Sequence, residues 1–277
     1  MYKNFFEGWY FKHQNKKDTL SFIPGVSDEK AFIQVITDKN SYNVDFDKQI
    51  FHKGKVIKID KNTFSCNGIS INIEEPNLKV EGKIQYSNLT PLRTDIMGFF
   101  RHFPMQCRHG IISVHHNLKG YVNVNDEHFD FSNGIGYIEK DSGCSFPRRY
   151  AWIQSNHFNQ KCSIMIAVAD IPFFGFNFEG IICTIYYKGE EYRLATYNGT
   201  KIIKCNKDNI VISNRNSRVE VYIGEYSGHK LYAPVNGKMS NIIKEAPSCN
   251  ARFKFYKDNE LMFDLESLKT RCEFIGY

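Results

Sequence analysis

Glu139 and Asp141 are the two residues whose types and spacing most directly suggest chemistry. They stand two positions apart in a segment with the pattern of a β-strand, so both side chains are expected on one face. Two neighbouring carboxylates do not both ionise easily, and the one that keeps its proton near neutral pH can act as a general acid. An equally weighted alternative is structural: both acids pair with Arg148 and Arg149 and fix the turn that follows.

A third acid, Glu7, begins the aromatic segment EGWYF, which also contains Trp9 and Tyr10. If this carboxyl group points inward, its apolar surroundings would raise its pKa and keep it protonated, which makes Glu7 a further candidate acid. The alternative is the opening strand of a barrel with Glu7 at the rim. Beyond the Glu139 segment, Trp152 and Gln154 are two apart on the next predicted strand and therefore share a face.

Histidines cluster in one part of the chain, at positions 102, 109, 115 and 116. On a regular strand His109 and His115 lie on one face, because they are six apart, and His116 lies on the other. No HExxH-type spacing is present, so we expect no metal ion. Simple packing, or a neutral imidazole that holds a hydroxyl group, is the interpretation that the pattern favours.

Charge and motifs exclude several classes of function. The net charge of +6 is spread along the chain and the longest basic clusters are pairs, so a nucleic-acid partner is not expected. The sequence has no GxSxG elbow, P-loop or kinase signature. The eight cysteines are widely spaced, as is typical of reduced thiols, and no secretory segment precedes them, so we expect a cytoplasmic protein. The most apolar stretch, residues 162–178, is interrupted by Asp170 and Pro172 and is not expected to span a membrane.

Strands must position these residues. Val, Ile, Phe, Tyr, Trp and Thr together are about twice as common as Ala, Leu, Met, Glu and Gln. Runs such as Ile69, Ile71 and Ile73 have the period of a strand with one buried face, and turn signals recur between such runs. The pattern predicts an all-β meander that forms sandwiches or barrels. We predict a helix only at Leu261–Lys269, and a long loop or short helix over Pro91–Pro104. Interrupted patterning at 139–149 places a domain boundary there, giving residues 1–142 and 143–277.

Segments in one order over essentially the whole chain resemble the tocopherol cyclase family. The most specific is DFSNGIGYIEKDSGCSFPRRYAWIQSNHF at 130–158. The others are EGWYF at 7–11, MGFF at 97–100, CRHGIISVHHNLKG at 107–120, IPFFGFNFEG at 171–180, EYRLATYNG at 191–199 and APVNGKM at 233–239. The resemblance implies two lipocalin-like antiparallel β-barrel or sandwich units with a lipophilic site between or within them.

The resemblance also implies a reaction. Plant and cyanobacterial members of the family close a chromanol ring by adding a phenol oxygen across the nearby double bond of a prenylated hydroquinone. The product is an isomer of the substrate, so no redox cofactor and no metal is implied. The implied ligand is a hydrophobic isoprenoid or quinol, which makes transient contact with a membrane surface an expectation.

Ring closure needs an acid for the alkene, polar groups for the phenol, and dry aromatic walls for a tertiary cation. We expect Asp141 to donate the proton, Glu139 to tune its pKa, and Glu7 to be the second candidate acid. The expected substrate-binding residues are the aromatic Trp9, Tyr10, Tyr137 and Trp152 and the polar His109, His116, Gln154 and Asn156.

Two positions depart from the family pattern, which has Trp at the position of Ser142 and often Glu at that of Gln106. Loss of an aromatic side chain beside the proposed acid would enlarge or wet the pocket. The alternative function is therefore a lipocalin-like carrier that holds a hydrophobic small molecule without changing it.

Overall fold

The computed structural model describes residues 4–173 and 175–277, which form an all-β protein with two antiparallel sheets, as the sequence predicts. Residues 1–3 and Phe174, which belongs to the matched segment 171–180, lie outside the described residues. The helical elements of the described part are short 3-10 turns at Lys48–Ile50, Gly98–His102 and Thr196–Asn198. None of its helices is both long enough and apolar enough to cross a membrane.

The first sheet has twelve strands. They are β1 (Phe6–Gln14), β2 (Thr19–Val26), β3 (Ala31–Thr37), β4 (Ser41–Phe46), β5 (Phe51–Lys53), β6 (Val56–Ile59), β7 (Asn62–Ser65), β8 (Gly68–Glu75), β9 (Leu78–Ser87), β10 (Cys107–Val124), β11 (Glu127–Asp130) and β12 (Gly134–Gly143). Their order is β4-β3-β2-β1-β12-β10-β9-β8-β7-β6-β5, and β11 pairs with β10. The first strand therefore lies against the last, between two meanders.

The second sheet has ten strands. They are β13 (Tyr150–Ser155), β14 (Cys162–Phe173), β15 (Phe176–Tyr187), β16 (Glu190–Ala195), β17 (Lys201–Cys205), β18 (Asn209–Ser213), β19 (Ser217–Ile223), β20 (His229–Val235), β21 (Lys238–Lys257) and β22 (Glu260–Ile275). Their order is β16-β15-β14-β13-β22-β21-β19-β18-β17, and β20 pairs with β21.

Alternating side chains explain why these segments are strands. In β8 the side chains of Ile69, Ile71 and Ile73 are buried in a core that also contains Trp9 and Ile138. The intervening residues of β8 are more exposed. A strand with this period removes one apolar face from water, which contributes about 25 cal/mol for each Å² buried.

The helix predicted at Leu261–Lys269 is wrong, because these residues belong to strand β22. Phe263, Leu265 and Ser267 are buried while Asp264 and Glu266 are exposed, so the pattern has a period of two. Pairing with β21 satisfies the backbone and outweighs the helix propensity of the Leu and Glu residues. Over Pro91–Pro104 the chain forms a loop that contains the turn Gly98–His102, one of the two predicted forms.

The described chain divides into two compact units. The first consists of Met1–Pro91, His109–Ser145 and Leu231–Ile242, and the second of Leu92–Arg108, Phe146–Lys230 and Ile243–Tyr277. The two sheets change over between β12 and β13, close to the sequence boundary at 142 and 143. That residues 1–142 and 143–277 are separate domains stays a prediction.

Candidate functional site

Strand pairing places two of the three predicted acids, Glu139 and Asp141, on one face of the first sheet. β1 and β12 are antiparallel neighbours in which Tyr10 lies opposite Glu139 and Lys12 lies opposite Tyr137. Directly opposed residues project from the same face, as do residues two apart on a strand. We call the face that carries Tyr137, Glu139 and Asp141 the site face.

Short contacts link four polar side chains on the site face. The Tyr137 hydroxyl donates a hydrogen bond to Glu139 Oε2 at 2.6 Å. His109 from β10 places Nε2 at 3.4 Å from the same Oε2 and Nδ1 at 2.9 Å from Asp141 Oδ1. The structure thus brings together Tyr137, Glu139, Asp141 and His109, and it places the imidazole between the two carboxylates.

Burial distinguishes the two carboxylates. The Glu139 side chain is 6% exposed and that of Asp141 is 23% exposed, so Asp141 is the more accessible acid. Burial, and after it the charge of Glu139, raises the pKa of the fully buried Tyr137 well above its ordinary value. Tyr137 therefore remains a hydrogen-bond donor and helps to hold negative charge on Glu139.

An imidazole held between two carboxylates is suited to moving a proton. Nδ1 lies within hydrogen-bonding distance of Asp141 Oδ1, and this contact fixes the orientation of the ring whichever of the two groups carries the proton. Negative charge on Glu139, close to Nε2, favours the protonated imidazole by attraction. The group can store a proton and deliver it through the more exposed Asp141.

The same three residues could also hold a cation. His109, Glu139 and Asp141 each offer one ligand atom, and these atoms lie within 4.8 Å of one another. An imidazole with two carboxylates is a donor set that divalent cations accept. A bound cation would replace the contacts that His109 now makes to the carboxylates, so the proton-transfer arrangement and metal binding exclude each other.

Lys12 is a site-face residue that the sequence analysis missed. It is fully buried and lies opposite Tyr137. Its neighbour on the same face, Tyr10, accepts a hydrogen bond of 3.3 Å from the Ser21 hydroxyl. The signal was present, because Lys12 follows Tyr10 by two residues in a predicted strand.

Glu7 and Trp9 lie on the opposite face, which we call the core face because it carries Trp9 and Ile138 of the core. The buried Glu7 carboxylate binds two lysines: Lys53 Nζ lies 2.7 and 2.8 Å from its oxygens, and Lys140 Nζ lies 2.5 Å from Oε1. Both ammonium groups also lie over the Trp9 ring, 5.7 and 5.2 Å from its centroid. Glu7 is therefore not brought together with Glu139 and Asp141.

Position 142, where the family pattern has Trp, is also on the core face. Ser142 pairs with Glu7 in the register of β1 and β12, whereas Asp141 projects the other way. The departure from the family pattern therefore does not fall on the face that carries Asp141.

His116 belongs to a buried polar group apart from His109. Its ring lies 4.6 Å from that of Tyr86, a core residue, and its Nδ1 is 3.1 Å from the Ser113 hydroxyl. Burial lowers the pKa of His116 to about 3, so the imidazole is neutral. The ring packs against Gly136, where an added Cβ would lie 2.1 Å from Nε2, which explains a glycine at that position of the GIGY segment.

The remaining predicted residues, Trp152, Gln154 and Asn156, belong to the second unit. Trp152 lies opposite Glu273, and Gln154 lies opposite Arg271. The three predicted residues and both opposing charged residues are buried. Arg271 also forms an ion pair in the same unit, in which its NH1 lies 3.2 Å from Glu245. Sequence analysis missed these buried charges, because nothing in the segment around Arg271 distinguishes an inward charge from an outward one.

Arg149 also lies in the second unit, where its NH1 is 3.2 Å from Glu179 and 3.7 Å from Asp170. Arg149 therefore pairs with Glu179 and Asp170, and not with Glu139 and Asp141, the pairing that the sequence left open. The two acids are held by Tyr137 and His109.

Two comparisons of the sequence, with protein families and with individual proteins, relate this chain to known proteins. The tocopherol cyclase-like family matches residues 77–274. A probable chloroplastic tocopherol cyclase from Oryza sativa subsp. japonica is 25% identical over 157 residues. That alignment covers 54% of this chain and 33% of the rice protein, so the match spans about a third of the relative's length.

Solved structures share the fold. CghA aligns with a TM-score of 0.59 and 6% identity, and kievitone hydratase from Nectria haematococca with 0.54 and 8%. Each alignment covers 98% of this chain and 88% of the other. At such identities the likeness concerns the fold alone. The family match, in contrast, extends over well more than half of the sequence and includes both His109 and the Glu139–Asp141 segment, and the chain therefore belongs to the tocopherol cyclase-like family.

Proposed function

We propose that this protein is an acid-catalysed cyclase that closes a chromanol-type ring in a prenylated quinol or a related isoprenoid lipid. Membership of the tocopherol cyclase-like family supports a cyclase-like function. The observation that carries the finer proposal is the imidazole of His109 held between Glu139 and Asp141. This arrangement supplies a proton from the enzyme itself.

The proposed reaction conserves every atom. Asp141 transfers its proton to one carbon of the alkene, which leaves a tertiary cation on the other carbon. The phenol oxygen bonds to that cation, and the His109–Asp141 pair takes up the phenol proton. The product is an isomer of the substrate, and the enzyme ends with the proton count with which it began.

Access and hydrogen bonding favour Asp141 over Glu139 as the donor. Asp141 is the more exposed carboxyl, whereas Glu139 is buried and accepts the Tyr137 hydrogen bond. In this proposal Glu139 holds His109 in its protonated form, and His109 returns the proton to Asp141. Glu7 has a structural role on the core face. Its carboxylate binds Lys140, which stands between Glu139 and Asp141 in the sequence but projects from the opposite face.

Aromatic faces near the acids would stabilise the cation. Tyr10 and Tyr137 share the site face with Asp141 and fit this role. Trp9 and His116 lie elsewhere in the first unit, and a direct contact of either with the lipid is not part of the proposal. The predicted role of Trp152, Gln154 and Asn156 in binding substrate stays a prediction. Four of the eight cysteines are buried, as reduced thiols commonly are, and this supports a cytoplasmic location.

Lipid extraction and native mass spectrometry of the protein purified from its own host test this function. We expect a bound prenyl quinol that converts, on incubation with the enzyme, to a chromanol of identical mass. A tightly held lipid that is recovered unchanged, with no isomer formed from any of a series of prenylated quinols, would instead establish the carrier. An EDTA-treated sample should retain turnover, since the proposed proton transfer uses only protein groups.

A further inference from the structure

The second unit carries a patch of aromatic rings at one end of its sheet. The 3-10 turn Gly98–His102 lies beside the hairpin formed by β14 and β15. We call the following six residues the aromatic patch: Phe99, Phe100, Phe103, Phe173, Phe176 and Phe178.

The rings form one continuous surface. The Phe100 ring lies 4.4 Å from that of Phe99, 5.9 Å from Phe173 and 5.8 Å from Phe178, between centroids. Phe173 in turn lies 6.1 Å from Phe176. Because these rings come from two separate segments, the fold assembles the patch, and local sequence alone does not create it.

Much of the aromatic patch faces water. Phe99 is 54% exposed and Phe176 is 60% exposed, while the other four rings are half-buried. The core of this unit is built from other residues, such as Ile164, Ile166 and Phe253. A contiguous apolar surface of this kind is costly in water and marks an interaction site.

The two segments that carry the aromatic patch contain formal charge of one sign only. Residues 96–108 and 171–178 contain no Asp or Glu, but they include Arg101 and Arg108, both exposed. The acids that flank these segments are engaged: Asp95 accepts a hydrogen bond from the Met97 amide, and Asp170 and Glu179 both pair with Arg149. The patch is therefore apolar with a positive border.

We propose that the aromatic patch docks the protein onto the surface of an anionic lipid bilayer. Phe side chains insert at the boundary between headgroups and acyl chains, and arginines at the border bind lipid phosphates. Such a surface fits the patch in both polarity and charge. The inference goes beyond the proposed ring closure, and it stands or falls independently of whether any lipid is cyclised.

Vesicle binding by the full chain tests the proposal. We expect the protein to co-sediment with vesicles of phosphatidylcholine and phosphatidylglycerol in equal parts, and much less with phosphatidylcholine alone. The double variant Phe99→Ser/Phe176→Ser should bind at least about tenfold more weakly, because apolar burial at the interface sets the affinity. The control Ile203→Ser/Leu268→Ser, which removes exposed apolar residues of the same unit outside the patch, should bind like the wild type.

The arginines have their own matched control. Arg101→Glu/Arg108→Glu should reduce binding to the anionic vesicles at least about tenfold, since each cation near an anionic surface contributes to binding. Lys207→Glu/Arg215→Glu changes the net charge equally at exposed positions elsewhere and should have a much smaller effect. Equal losses from both pairs would show that net charge alone drives binding and would overturn the assignment to the patch.

Three further results would overturn it. The first is wild-type protein that fails to bind the anionic vesicles, and the second is a Phe99→Ser/Phe176→Ser variant that binds them fully. The third is a concentration-dependent dimer in sedimentation velocity that the same variant dissociates, which would make a second copy of the chain the occupant. The folded state of each variant is checked by circular dichroism and thermal unfolding.

Discussion

The two faces of the β1–β12 pair both carry charged side chains, but the charged groups have different partners on each face. On the site face, Glu139 and Asp141 share one imidazole, that of His109. On the core face, Glu7 is neutralised by Lys53 and Lys140, so this carboxylate is occupied in holding the sheet together. The comparison shows that the charges of β12 alternate between the two faces residue by residue, and that the register with β1 decides which face each acid shares.

The largest expected effect comes from Asp141→Asn. Because this variant removes the proposed proton donor and keeps the shape of the side chain, we expect turnover to fall by about 10²–10⁴-fold while lipid binding survives. The comparison is made by single-turnover product analysis. Asp126→Asn, which removes the same charge at an exposed turn, should leave turnover unchanged. Full turnover by Asp141→Asn would reject the role of Asp141.

His109→Gln should cause a smaller loss of turnover, about tenfold to a hundredfold. Glutamine retains a hydrogen-bond donor for Asp141, but it does not store or return a proton. The pH profile of turnover should therefore change shape as well as height. A profile that is lowered uniformly and keeps its wild-type shape would mean that His109 acts only by packing.

Glu7→Gln tests the core face and should affect stability more than chemistry. The substitution leaves two half-exposed lysines without their buried partner, and we expect the free energy of unfolding to fall by about 1–3 kcal/mol. Glu29→Gln removes the carboxylate of an exposed pair with Lys238 and should cost less than about 1 kcal/mol. Urea unfolding measures both. If Glu7→Gln abolished turnover in a fully stable protein, Glu7 would belong with the catalytic acids.

The neutral histidines of the first unit predict sensitivity to acid. Burial lowers the pKa of both His13 and His116 to about 3 from 6.5, so the unfolded chain binds more protons between these values. The contribution of these two neutral imidazoles to the free energy of unfolding is therefore fully present above pH 6.5 and is lost as the pH falls toward 3. Each histidine contributes a slope of up to about 1.4 kcal/mol per pH unit.

Replacing one of these two histidines should halve the slope that the pair gives to the free energy of unfolding as a function of pH. We expect His116→Asn to lessen the loss of unfolding free energy between pH 6 and pH 4, on the order of one histidine's share. His128→Asn, at an exposed position, is the matched control and should leave the slope as it is in the wild type. An unchanged slope in His116→Asn would show that His116 is not held neutral in the folded state.

Ser142→Trp should have the smallest effect on chemistry, within about twofold in turnover, because residues 142 and 141 project to opposite faces. It restores the family's aromatic residue beside Glu7, not beside Asp141. A large gain or loss of turnover would mean that the core face takes part in the reaction.

Sequence patterns predicted much of this arrangement, and their failures have physical causes. The spacing of Glu139 and Asp141 was enough to place both on one face, because strand alternation is local. The position of Glu7 depends on the register between β1 and β12, which joins residues more than a hundred positions apart. Local patterns do not carry that information.

Two other failures follow from tertiary context. Leu261–Lys269 has helix-forming residues, but pairing with β21 makes it a strand. The pair Arg271–Glu245 is fully enclosed, and nothing near either residue in the sequence predicts a buried charge. Lys12 was within reach of the same alternation rule that gathered Tyr137 and Glu139, but a buried lysine is rare enough to be passed over.

The central claim is that the protein itself protonates an alkene through Asp141, and incubation in heavy water tests it most directly. The account predicts that a prenylated quinol turned over in D₂O yields a chromanol with one deuterium bound to carbon, next to the new ether carbon. Asp141→Asn should give no such product although it binds the same lipid. A chromanol that carries no deuterium on carbon, or equal labelled product from Asp141→Asn, would contradict the account.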